Sequence, residues 1–238
     1  MDYRKVAETI ESFIREKTEG FNGGVIGLSG GLDSTVVAYL SVNAIGNDRV
    51  YGLLMPYFKN SNTDDAIEIA NILKIGYEII DIKPIVESFE HTGHFSKKIP
   101  KENLMARTRM CLLYGVSNEK GMLVLGTSNK SELETGYFTK YGDGGVDIEP
   151  IGDLYKTEVW ELARFLGVSK KIIGKEPSAD LSPGQTDEAD LGMGYYTLDK
   201  ILRGQTESAD PAIIKKVRNL FERSQHKREL PPVARVER

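Results

Sequence analysis

Only one cysteine, Cys111, occurs in the 238 residues. No intrachain disulfide can form, so burial must hold the fold together, and a reducing, cytoplasmic setting is favoured. Long apolar runs are also missing. None approaches the roughly 18 residues expected of a membrane-spanning helix. An excess of positive charge is absent too. Lys and Arg number 31 against 35 Asp and Glu, a formal net charge of −4, which argues against a broad nucleic-acid-binding face. It leaves room for a local basic pocket around a small anion. The chain has no internal repeat and no low-complexity tract. The opening "MDYRKVAETIESFIREKTEG" lacks the continuous apolar core of a signal peptide. Tyr3, Val6, Ile10 and Phe13 instead recur at helical spacing, so an amphipathic helix is expected there. With 40% hydrophobic residues the chain can build one sizeable core. No linker divides residues 1–238, which read as a single domain.

Four short runs are present that read as buried strands: "GVIGLS" (24–29), "VYGLLMP" (50–56), "YEIIDI" (77–82) and "MLVLGT" (122–127). They do not alternate polar with apolar residues, as expected where helices cover both faces of a sheet. Helical patterns separate them. "DSTVVAYLSVNAIG" stops at Gly46, and "SNTDDAIEIANILKIG" opens with cap-competent Ser61, Asn62 and Thr63. "KENLMARTRMCLLYGVSNEKG" reaches Gly121. Strand alternating with helix predicts an α/β fold with a mainly parallel sheet and right-handed crossovers. Beyond residue 127, "LYKTEVWELARFLG" predicts a helix ending at Gly167, followed by a long polar loop, "GKEPSADLSPGQT" (174–186). That loop and "HTGHFSKKIPK" (91–101) are read as lids over a site or as plain surface loops. Two further helices are expected after them.

The stretch "GVIGLSGGLDSTVVAYLSV" (24–42) runs from a strand through a glycine turn into a helix. It lacks the lysine of a Walker loop, and it lacks the G-x-G-x-x-G spacing of a dinucleotide fingerprint. What it has is Ser29-Gly30-Gly31-Leu32-Asp33-Ser34. Successive glycines let backbone N–H groups close on an anion, two serines add hydroxyls, and the helix that follows aims its positive end at the same place. Asp33 suits such a cradle if Mg²⁺ stands between its carboxylate and the phosphates. A capped strand-to-helix turn would account for one glycine but not for the whole string.

At these residues the sequence resembles the PP-loop of the adenine-nucleotide α-hydrolase group, whose members cleave ATP between the α- and β-phosphates. "ARTRM" (106–110), "LVLGTSNKSELETGYFTKYGDGGVDIEPIGDLYKTEV" (123–159), "EPSADLSPGQTDEADLG" (176–192) and "QHKREL" (225–230) further resemble ammonia-dependent NAD⁺ synthetase. The likeness spans residues 24 to about 230, nearly the whole chain. It implies a Rossmann-like three-layer α/β/α fold and ATP-dependent amidation of deamido-NAD⁺ to NAD⁺ through an acyl-adenylate. AMP and pyrophosphate would be released. It also implies a homodimer. No glutamine-hydrolysing segment is visible, so free ammonia, or ammonia passed on by another subunit, is the expected nitrogen donor.

The resemblance carries over residue by residue. ATP would be held by Gly27, Leu28, Ser29, Gly30, Gly31, Leu32, Asp33 and Ser34, with Thr127, Lys156 and Ser178. Asp33 and Glu132 would hold Mg²⁺. Deamido-NAD⁺ would meet Arg107, Lys140, Asp147, His226 and Lys227. Asp143 in "YGDGG" is the candidate for taking a proton from ammonium, and Lys156 would act on the phosphates. On composition alone, Glu132 reads as an exposed acid, Lys156 as a solvated lysine, Thr127 as a helix cap and Asp143 as a turn residue. Arg107 and Arg109 face different ways on a helix; Arg107 is assigned to the ligand and Arg109 to a structural pair. Cys111 is read as a core cysteine. Three departures from the pattern stand out: Leu32 before Asp33, Asn129 where some relatives carry His, and the "SPGQTDE" loop. Two other readings stay open, namely another PP-loop enzyme acting on tRNA and a module that senses ATP without cleaving it.

Overall fold

The computed structural model describes residues 1–58 and 62–236. Helix α1 (Tyr3–Lys17) leads into β1 (Gly24–Gly27), α2 (Leu32–Ile45) and β2 (Val50–Leu54). Next come α3 (Thr63–Leu73), β3 (Gly76–Ile79), α4 (Lys83–Glu90), α5 (Lys98–Lys120) and β4 (Leu123–Leu125). The remainder is helical: α6 (Lys130–Thr135), α7 (Lys156–Phe165), α8 (Lys170–Ile173), α9 (Asp187–Leu191), α10 (Tyr195–Leu202), α11 (Pro211–Arg223) and α12 (Gln225–Arg228).

The four strands form one parallel sheet in the order β3-β2-β1-β4. Gly24 of β1 stands between Val50 of β2 and Leu123 of β4. Both faces are covered, which is why the strands carry no polar alternation. Ile26, Leu54 and Leu125 meet α1, α2, α3 and α7 through Ile14, Val36, Leu40, Ile69 and Leu162. Val25, Leu53 and Val124 face the other way, toward Val86 of α4 and Met105 of α5. A third cluster around Tyr195, Leu198 and Val217 joins α10 to α11. The fold is therefore the expected three-layer α/β/α arrangement, Rossmann-like in its sheet.

Where expectation and structure part, packing explains the difference. Strand β3 is not a buried strand: it lies at the sheet edge, and Gly76, Glu78 and Ile79 are exposed. Helix α3 stops at Leu73 instead of running to Gly76, because Lys74 turns left-handed (φ 55°) and the Ile75 N–H donates back to the Ala70 carbonyl. That turn buries Ile75. Asn62 occupies the cap position of α3, while Ser61 lies outside the described residues. Helix α4 was not anticipated, and the second half of the 91–101 segment is the beginning of α5. Helices α2 and α5 end at Gly46 and Gly121 as expected. Cys111 is exposed on α5 and not part of the core. Among the described residues, no helix is long and apolar enough to cross a membrane.

Leu40 is fully buried in α2 against the sheet. Replacing Leu40 with Ala should cost about 3 kcal/mol, from lost transfer energy and the cavity left behind. Urea denaturation followed by circular dichroism measures it; an unchanged midpoint would contradict this view of the core.

Candidate active site

From β1 the chain moves outward to β2 and β3, then returns to β4 on the other side of β1. Such a reversal leaves a crevice at the carboxyl ends of the two central strands, where open α/β sheets bind ligands. A cavity of about 450 Å³ opens there. A larger, more open cleft of about 850 Å³ runs past Tyr57, Asp81 and Lys98, beside β2 and away from the β1–β4 reversal.

The glycine turn forms one wall of the cavity. Its hydroxyls tie it into a compact loop. Ser29 Oγ and Ser34 Oγ lie 3.0 Å apart, the Gly31 N–H donates to Ser29 Oγ at 3.2 Å, and Thr35 Oγ1 donates to the Gly31 carbonyl at 2.7 Å. Gly30 is left-handed (φ +74°), and Asn62 and Ala66 of the α3 start stand where a side chain would project. The turn thus sits between the N-terminal ends of α2 and α3, both of which favour an anion.

Opposite the turn, the segment after β4 is pinned by a capping box. The Asn129 side chain accepts from the Glu132 N–H, and Glu132 Oε2 accepts from the Asn129 N–H, both at 3.1 Å. Asn129, not Thr127, is the cap. This orients Glu132 toward Lys156, whose Nζ is 3.7 Å from Glu132 Oε1 and pairs with Asp33 Oδ2. Asn129 Nδ2 donates to the other Asp33 oxygen at 3.2 Å. Lys156 is only 2% exposed and Glu132 is largely buried, so neither is the solvated surface charge that composition suggests. The first turn of α7 is fixed by Ser131 Oγ, which accepts from the Lys156 N–H at 2.9 Å and donates to Asp199.

Three carboxylates bear on that one ammonium. Burial, and then the charge of Asp33, push Glu132 well above the usual carboxylate range. Burial also raises Asp187, whose Oδ2 accepts from the Tyr195 hydroxyl at 3.0 Å while its Oδ1 has no hydrogen-bond partner among the described residues. Burial opposes the charge on Lys156, but Asp33, Glu132 and Asp187 outweigh it and raise its pKa. The corner has more negative charge than one lysine balances. No group of three or more His, Cys, Asp or Glu suited to a metal occurs among the described residues. Two converging carboxylates beside a phosphate cradle nevertheless match the way Mg²⁺ is held, with phosphate oxygens and water completing its shell.

Asp143 opens into the cavity from the 139–145 turn and accepts from the Thr139 N–H at 3.0 Å. Protein surrounds it on its other sides, and this confinement raises its pKa. Lys227 lines the same cavity and donates to the carbonyls of Gly136 and Phe138 at 2.7 and 2.6 Å. Residues 27–34, Gly30 excepted, line the cavity with Thr127 and Ser178. Arg107, Lys140, Asp147 and His226 do not. Arg107 donates to the Lys140 carbonyl at 3.3 Å, and Lys140 Nζ donates to the His226 carbonyl, so these three and Lys227 make one surface strip. Asp147 stands apart, accepting from the Val124 N–H and the Tyr114 hydroxyl.

Sequence reasoning missed several cavity residues. Arg109 reaches the cavity and donates to the Met55 carbonyl at 3.1 Å. Lys175 and Asp187 enter it from the two ends of the long loop. Glu149 sits against Gly126, where a side chain would project, and accepts from the Ser128 N–H at 3.1 Å. An acid in a buried bridge next to a glycine at a strand end is the signal that could have found Glu149. Nothing local marks the others.

An open parallel sheet with an S-G-G-x-D-S turn at its reversal point, facing a buried lysine between carboxylates, defines an α/β nucleotide-binding protein of the PP-loop class. The NAD synthase family matches residues 4–231, and the chain belongs to that family. It is 50% identical to an NH₃-dependent NAD⁺ synthetase of Pyrococcus horikoshii, over 97% of this chain and 94% of the relative. Among solved structures it resembles an NMN synthetase from Francisella tularensis, with a TM-score of 0.93, 35% identity and coverage of 99% of this chain and 100% of that one. It also resembles an NH₃-dependent NAD synthetase from Campylobacter jejuni, with a TM-score of 0.86, 34% identity and coverage of 99% and 100%.

The burial of Glu149 has a measurable consequence. Burial and the nearby charge of Asp143 lift its pKa to about 8, against the lowering effect of its hydrogen bonds to Ser128. Between its ordinary value of 4.5 and 8 the folded chain keeps a proton that the unfolded chain loses, so this group makes stability fall as pH rises. Glu149→Gln removes that loss. Thermal midpoints of the variant relative to wild type should therefore rise from pH 5 to pH 8; parallel pH profiles would contradict the assignment.

Proposed function

We propose that one cavity performs both halves of the family reaction, the corner around Lys156 serving the first and Asp143 the second. The reaction is ATP-dependent amidation of deamido-NAD⁺ with ammonia to NAD⁺, with release of AMP and pyrophosphate. The observation that carries the reading is the buried Asp33–Lys156–Glu132 group facing a glycine turn that has no lysine of its own.

In the first half, a nicotinate carboxylate oxygen attacks the α-phosphorus and pyrophosphate leaves. The backbone N–H groups of residues 29–34 and the start of α2 would hold the β- and γ-phosphates, keeping the leaving group in place. Lys156 offsets the charge that develops on the phosphate oxygens, in a corner where burial strengthens the effect. Thr127 and Ser178 are further candidate contacts to the nucleotide. Asp33 and Glu132 would hold Mg²⁺, which when bound neutralises phosphate charge. In the second half, ammonia attacks the carbonyl carbon, the C–O bond to AMP breaks, and AMP departs. Ammonium must lose a proton first. Asp143 faces the cavity with a pKa raised toward neutrality, which suits a carboxylate that accepts that proton.

Deamido-NAD⁺ would lie along the strip of Arg107, Lys140, His226 and Lys227, with Asp147 beyond it. A homodimer would bring a second subunit to that strip, and a cytoplasmic setting belongs to the same proposal. One observation favours a second reading of the substrate. The likeness to an NMN synthetase points to amidation of the corresponding deamido mononucleotide.

Purified protein with ATP, Mg²⁺, ammonium and deamido-NAD⁺ should give NAD⁺, AMP and pyrophosphate in equal amounts. ADP and phosphate would overturn the reading. A higher kcat/KM for the deamido mononucleotide than for deamido-NAD⁺ would move the assignment to the second reading. Asp143→Asn should slow amidation about 100-fold while leaving deamido-NAD⁺-dependent ATP–pyrophosphate exchange within about threefold. Equal losses in both would remove Asp143 from its role.

A further inference from the structure

The PP-loop sequence has no lysine, but its surroundings do. Lys175, 145 positions after Gly30, opens the long loop behind α8 and donates from Nζ to the Gly30 carbonyl at 2.9 Å. The same ammonium pairs with Asp65 in the first turn of α3. The Lys175 side chain lines the nucleotide cavity together with Ser29 and Gly31. Because Gly30 packs directly on Asn62 and Ala66, Lys175 and Asp65 stand at the seam where the turn meets α3.

A purely structural role would make Lys175 a tie between the long loop and α3. Lys171 already makes that tie: it pairs with Asp65 and with Glu68 from α8, on the exposed side. The Lys171 side chain is 61% exposed and that of Lys175 only 23%. The inner lysine is therefore redundant as an anchor but unique in facing the cavity. An ammonium has three donors, and Gly30 and Asp65 account for two. The hydrogen bonds of Lys171 and Lys175 hold the Asp65 carboxyl below its usual range, so Asp65 stays ionised and keeps Lys171 if Lys175 turns away.

We propose that Lys175 is the cation of the pyrophosphate leaving group, supplied from a distant loop where a Walker loop supplies lysine from its own sequence. The proposal rests on the reading that residues 29–34 hold the β- and γ-phosphates. As the bond from the α-phosphorus to the bridging oxygen breaks, its electron pair goes to that oxygen. Lys175 pairs with the charge that accumulates on pyrophosphate, while the nicotinate oxygen takes the vacated place on phosphorus. This gives the 174–186 loop a chemical role in addition to covering the site.

The test is exchange of labelled pyrophosphate into ATP, with deamido-NAD⁺ present and ammonium absent. Lys175→Met should lower the exchange rate about 100-fold and raise the half-saturating pyrophosphate concentration tenfold or more. Half-saturation by deamido-NAD⁺ should stay within twofold, and Lys175→Arg should recover part of the rate. Lys171→Met and Asp65→Asn should keep exchange within threefold. Equal losses in all three positions, with pyrophosphate half-saturation unchanged, would make Lys175 a tie only and overturn the proposal. Normal exchange in wild type and in Lys175→Met would also overturn it, leaving the cradle reading intact. Absence of exchange in wild type would bring down both. Thermal melts establish that each variant folds, and Lys175→Gln carries the same test if the Met variant does not.

Discussion

A buried ammonium between two carboxylates organises this protein. Lys156 enters from the start of α7, Asp33 from the first turn of α2 and Glu132 from the capping box of α6. These three segments are remote in sequence and meet only because β1 and β4 are neighbours in the sheet. Burying such a group is expensive, and removing one partner from a buried pair typically costs about 3–5 kcal/mol. The surrounding hydrogen bonds, from Asn129 to Asp33 and from Lys156 to Ser131, offset that cost. An arrangement with three carboxylates around one lysine is balanced only when more positive charge arrives. That imbalance suits a site whose substrate comes with a divalent cation.

Charge also divides the protein into working regions. The acid-rich corner lies at the sheet reversal, while Arg107, Lys140, His226 and Lys227 form a strip on the outside of the cavity. A phosphate-bearing nucleotide can enter with its metal at the corner while a dinucleotide extends along the strip. Asp143 and Lys227 both line the cavity between these regions, close to where a nicotinate carboxylate would have to sit. The overall charge of −4 conceals this division, since the two signs are sorted in space and not along the chain.

How much was legible in the sequence follows from the same physics. Strands β1, β2 and β4 were visible because continuous apolar runs betray burial on both faces, and Asp33 was visible because its turn has no other simple purpose. Strand β3 was misread as buried since an edge strand can carry an apolar run yet be covered on one side only. Lys156 and Glu132 defeated composition, because a charged residue is ordinarily on the surface, and only the family resemblance raised them. Lys175, Arg109 and Glu149 left no local trace. Each acquires its meaning from a partner 21 or more positions away: Glu149 from Ser128, Arg109 from Met55 and Lys175 from Gly30.

The central claim is that this corner directs a carboxylate oxygen to the α-phosphorus of ATP. Deamido-NAD⁺ labelled with ¹⁸O in both carboxylate oxygens tests it most directly. After turnover with ATP and ammonium, mass spectrometry should find one ¹⁸O in AMP, one in the NAD⁺ amide and none in pyrophosphate. Label in pyrophosphate or inorganic phosphate, or unlabelled AMP, would contradict the account.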